Sequence, residues 1–93
     1  MQVIDHAKGF WYLLEENGSY YLDIHCSQGF ASFSILIQLT DKESKDYQTG
    51  GKAFIDELAS SIDCGNTARH IKGETEERAT AAIYTWLGLK NPS

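Results

Sequence analysis

A chain of 93 residues that is 42% hydrophobic and 23% charged has the composition of a single globular domain, not of a disordered segment. Its 8 Lys and Arg stand against 13 Asp and Glu, a net charge of -5, which argues against a phosphate backbone or an anionic membrane as partner. A domain of this size has little room for a deep closed pocket, so its chemistry is expected on a face.

In chain order, Met1 to Gly9 holds no apolar stretch behind a basic start, and the longest apolar run, Phe10–Leu14, is far short of the roughly 20 residues of a membrane helix. The expectation is a cytoplasmic protein without a membrane partner. Val3 and Ile4 are read as a short edge strand before the Ala7-Lys8-Gly9 turn. The strongest local signal is a hairpin over 10–26. Two β-prone runs flank Asn17-Gly18, and a two-residue type I′ turn needs positive φ at both positions. That turn sets Glu16 opposite Ser19, Leu14 opposite Tyr21, Tyr12 opposite Asp23, Leu13 opposite Leu22, Trp11 opposite Ile24 and Phe10 opposite His25. Alternation then divides the side chains. Trp11, Leu13, Tyr20, Leu22 and Ile24 form the inferred core face. Phe10, Tyr12, Leu14, Tyr21, Asp23 and His25 form the other.

A strand follows over 30–40, with Phe33, Ile35, Ile37 and Leu39 facing inward. Thr40-Asp41-Lys42-Glu43 fits a capping box and predicts a helix from about 41 to 63. Its stripe (Tyr47, Gly51, Phe54, Leu58, Ile62) keeps phase across Gly50-Gly51, so either one helix runs through or a break divides it there. A second helix is predicted over 75–87, capped by Thr75, with Ala79, Ala82, Ile83 and Trp86 as its stripe and Gly88-Leu89 as its stop. The sum is a single α+β domain over 1–93. An antiparallel sheet of three to four strands is followed by two helices, expected to pack on one face.

No pattern of chemistry stands out. His6, His25, His70, Cys26 and Cys64 show no metal-ligand spacing, and neither a metal nor another cofactor is expected. Cys26 and Cys64 are expected to be reduced, as in the cytosol. Cys64 with Asp63 and His70 is the one local grouping of thiol, imidazole and acid, but a helix C-terminus disfavours a thiolate. Gly50-Gly51-Lys52 fails the phosphate-loop pattern, because Asp46 and Ala53 stand where Gly and Ser or Thr are needed. Lys8-Gly9-Phe10-Trp11-Tyr12-Leu13 resembles the start of the RNA-recognition signature. Trp11 replaces its small residue and Glu15 its last aromatic, so no role carries over and nucleic acid is disfavoured.

The second hairpin face remains. Two readings stay open for it: an exposed contact patch, or a second core layer under a helix. The reading adopted is a non-catalytic binding or assembly protein that uses the aromatic, acidic face of Phe10, Tyr12, Leu14, Tyr21, Asp23 and His25. Its partner is a second copy or another protein. The alternatives are a small enzyme or metal-dependent protein built around Asp23 and His25, and an antidote or inhibitor of a basic partner protein.

Overall fold

The structure is a computed structural model that describes residues 1–28, 31–62, 65 and 68–90. Four strands, β1 (Gln2–Ala7), β2 (Trp11–Glu16), β3 (Ser19–Gln28) and β4 (Ala31–Gln38), pair antiparallel in sequence order. Helices α1 (Asp41–Gly50), α2 (Lys52–Ser61) and α3 (Glu74–Lys90) follow. The chain is therefore α+β, with strands first and helices after. No helix among the described residues is long and apolar enough to cross a membrane.

The hairpin follows its turn chemistry. Asn17 and Gly18 both take positive φ, 51° and 81°, and the pairs from Trp11↔Ile24 to Glu16↔Ser19 fall as the turn dictates. One further ladder bond runs from the His25 N–H to the Phe10 carbonyl, 2.7 Å. The capping box forms as well: the Thr40 hydroxyl accepts from the Glu43 N–H at 3.1 Å, and Glu43 Oε1 accepts from the Thr40 N–H at 2.9 Å.

Gly51 resolves the choice left open at Gly50-Gly51. It takes φ 64° and ψ -147°, a region essentially reserved for glycine, so the helical run is broken into α1 and α2. The third helix is longer than its sequence signals suggest. It starts at Glu74, one residue before the expected cap, and the Gly73 carbonyl accepts from the Glu77 N–H. It runs through Gly88, where a stop was expected, to Lys90.

Both faces of the sheet are packed. Trp11, Leu13, Leu22, Ile24, Cys26, Ile35 and Ile37 lie under α1 and α2, meeting Ile55 and Ala59 directly and Tyr47, Phe54 and Leu58 at the margin. The Trp11 indole N–H donates to Asp56 of α2 at 2.9 Å, which gives this large buried side chain a polar partner. On the opposite face Leu14 and Leu36 meet Ala79 of α3, flanked by Val3, Tyr12, Tyr21, Ile71, Ala82 and Ile83. The helices thus divide between the two faces, where one shared face was expected. Outward-facing Leu14 and Leu36 need cover as much as the residues on the other side do. The cysteine expectation is also corrected: Cys26 is disulfide-bonded. The other cysteine of the sequence, Cys64, lies outside the described residues, as does Asp63.

Candidate functional site

The six face residues have separate fates. Leu14 is fully buried under α3. Phe10 sits in the turn before β2, where its N–H bonds the Ala7 carbonyl, and its side chain packs against the α1–α2 core. It therefore does not join the face on which strand alternation would place it. Tyr12 is half-buried, edge-on to Trp86 of α3 with ring centroids 5.7 Å apart, and His6 lies 4.6 Å from the same indole. Tyr21 packs at the margin of the Leu14–Leu36 cluster. The aromatic patch is thus largely a second core layer.

Asp23 and His25 remain, over the β3–β4 half of the sheet. Because α3 packs against β1 and the neighbouring strand, an open groove of about 550 Å³ runs between it and β4. Asp23, Ser34, Leu36, His70, Glu76, Glu77, Thr80 and Tyr84 line it. A smaller cleft toward Tyr12 and Leu87 shares Asp23, Ser34, Thr80 and Tyr84 with it. His25 does not line either one. It is exposed, with Nε2 3.1 Å from the Ser32 hydroxyl.

Asp23 is half-buried, and loss of hydration pushes its carboxyl up to about 6, against the opposing hydrogen bond from Ser34. Among the described residues, neither cleft has a Lys or Arg in its lining to neutralise it. The arginines of the chain are engaged elsewhere. Arg78 makes a two-pronged pair with Glu16 at 3.0 and 2.9 Å, and Arg69 another with Glu43 at 3.1 and 2.8 Å. Each guanidinium holds its carboxylate below the usual range.

In the sequence His70 stands out only near Cys64 and Asp63 and in no metal-ligand spacing, and the structure gives it different work. Its Nδ1 accepts from the Leu36 N–H at 2.9 Å, and its Nε2 lies 2.8 Å from Glu76. These partners assign the proton to Nε2, which donates to the carboxylate. With both ring nitrogens occupied, His70 has no lone pair left to take a proton from a substrate. It is a structural pin that ties the chain before α3 to β4. Its partners are a backbone amide far back in the chain and a carboxylate in the first turn of the following helix, so the only local trace in the sequence is a histidine shortly before an acidic helix start.

Asp23 and His25 share a sheet face as alternation requires, but no third ligand among the described residues joins them. Among the described residues no group of three His, Cys, Asp or Glu side chains could hold a metal ion. The arrangement offers an unneutralised, half-buried carboxyl beside three hydroxyl-bearing side chains (Ser34, Thr80 and Tyr84), with Tyr84 71% exposed at the rim. Compared with known proteins, the chain matches no family model, no curated protein and no solved structure.

Proposed function

We propose that this chain is a non-catalytic binding protein whose groove between α3 and the β3–β4 half of the sheet takes a cationic side chain of a partner protein. One observation carries the reading: Asp23 is a half-buried carboxyl, and among the described residues its groove lining supplies no Lys or Arg. An incoming ammonium or guanidinium would repay the hydration that burial removes. Glu76 and Glu77 add negative potential, and Tyr84 offers an exposed ring that a guanidinium can stack on. The volume lies within the range of ordinary ligand sites. The partner is then a protein with a basic surface, as for an inhibitor or antidote drawn to its target by charge.

The test is a titration of the labelled chain with N-acetyl-arginine amide, followed by NMR. Binding should shift Ser34, Thr80 and Tyr84 and lower the Asp23 titration midpoint from about 6. Asp23→Asn should weaken binding about tenfold, in line with the loss of one charge-assisted hydrogen bond. An Asp23 midpoint unmoved by saturating probe would overturn the reading.

The cytoplasmic placement expected from the N-terminal sequence stands against the disulfide at Cys26, since cytosolic thiols are kept reduced. Alkylation of thiols at the moment of cell lysis decides between them. A Cys26 that escapes alkylation until a reductant is added places the protein in an oxidising compartment.

A further inference from the structure

The two edges of the sheet differ. At the β1 edge the register is irregular between Val3 and Asp5, and a charged side chain lies in the strand. Both features discourage pairing with another strand. The β4 edge, Ala31–Gln38, has no charge, proline or register shift. Part of it is capped from within. The Leu36 N–H goes to His70 Nδ1, the Leu36 carbonyl accepts from the Ile71 N–H at 2.8 Å, and the Gln38 carbonyl accepts from Arg69 at 3.0 Å. These bonds show that the even-numbered residues of β4 turn their backbone groups away from β3. By the same alternation Ser32 and Ser34 turn theirs outward, and among the described residues nothing meets them. Both serines are exposed.

We infer that the stretch of β4 at Ser32–Ser34, uncapped among the described residues, accepts an extended segment of a partner protein as a fifth strand, with a Lys or Arg of that segment reaching over Ser34 to Asp23. The inference rests on the groove reading above and names the form in which the cation arrives. Ser32, Ser34 and Leu36 share the α3 side of the sheet with Asp23, because Asp23 pairs with Leu36 and His25 with Ser34. A residue added opposite Ser34 would point its side chain to that same side. Strands lie about 4.8 Å apart and rise about 3.4 Å per residue, so the added residue and Asp23, two strands over and two residues along, would be separated by about 12 Å on the diagonal that passes Ser34. The stem of a Lys or Arg and the Asp23 side chain together span that gap, and a serine between them leaves the way clear. Backbone bonds would supply the docking and the cation the selectivity.

Charge favours this occupant over a second copy. Two β4 strands paired about Phe33 would set Ser32 against Ser34, bringing no cation to either Asp23.

The test uses the full chain and three probes: N-acetyl-arginine amide, the blocked pentapeptide Thr-Val-Arg-Val-Thr, and that peptide with its three central backbone nitrogens methylated. The peptide should bind at least tenfold more tightly than the single arginine and shift the Ser32 and Ser34 amides. Methylation should remove that gain. Ser32→Pro should remove it too while leaving the fold intact, because the Ser32 N–H makes no ladder bond to β3. Equal binding of the methylated peptide, or an unaffected Ser32→Pro variant, would overturn strand addition while leaving the groove reading in place. Loss of the single-arginine response would overturn both. A dimer of the free protein that Ser32→Pro converts to monomer would assign the edge to a second copy instead, and would also overturn the inference.

Discussion

At the scale of single residues, Asp23 and His70 line the same groove and differ in how visible they were. Asp23 is placed by the hairpin register alone, because Asn17-Gly18 fixes which side of the sheet it faces. Its perturbed titration is not visible from the register, since the burial comes from β4 and from α3, far along the chain. That perturbation has a thermodynamic consequence. An unfolded Asp ionises near 3.9, whereas folded Asp23 does so at about 6. Between those values the folded state holds the extra proton, so stability falls as pH rises through the window and stays at the lower level above it. Asp23→Asn has no such loss. Urea unfolding should find the variant close to the parent at about pH 4 and more stable by about 1–3 kcal/mol at about pH 7. A difference that does not change with pH would contradict the burial of this carboxyl. His70 was not legible as a pin, because its partner Leu36 is 34 positions away and contributes a backbone group that leaves no mark in composition.

Among the elements, those with local signals were legible and those ended by tertiary contacts were less so. The hairpin and the start of α1 carry their own chemistry: positive φ at Asn17 and Gly18, and reciprocal bonds between Thr40 and Glu43. The Gly50-Gly51 pair could be seen as special but not decoded, because a glycine tolerates both a helix and a break. The structure gives Gly51 the break. A Cβ built there meets nothing within 4 Å, so the cost of a side chain is one of backbone conformation and not of space. Gly51→Ala is therefore expected to destabilise by about 1–3 kcal/mol in chemical denaturation. A neutral or stabilising outcome would mean that α1 and α2 merge into one helix. The ends of α3 show the opposite case. Gly88 resembles a stop, yet the helix passes through it. Glycine inside a helix costs about 1 kcal/mol, an amount that other contacts of a long helix can offset.

Taken whole, the molecule is a sheet between two helical layers. With α2 on one face and α3 on the other, the connecting chain must pass around an edge, and Arg69, His70 and Ile71 bond to β4 as it does so. The same passage that builds the second core layer leaves the β4 groove open, and its described residues cap only part of the strand. Leu14 reports on the second layer. It is fully buried opposite the main core, so Leu14→Ala should cost about 2–5 kcal/mol in urea unfolding. A loss below about 1 kcal/mol would mean that α3 is not firmly seated and that the aromatic face is accessible after all.

The sequence alone determined the α+β class, the hairpin register and the capped start of α1, because each depends on residues close together in the chain. Only the tertiary structure decided which layer each helix joins. Both faces of the sheet carry apolar side chains, Leu13 and Leu22 on one and Leu14 and Leu36 on the other, and an apolar helix stripe fits either. That choice turned most of the aromatic face into core. What it left accessible is narrower than the patch the alternation outlined: the exposed His25, the half-buried Asp23 with the groove around it, and a short edge of β4 that no other described residue caps.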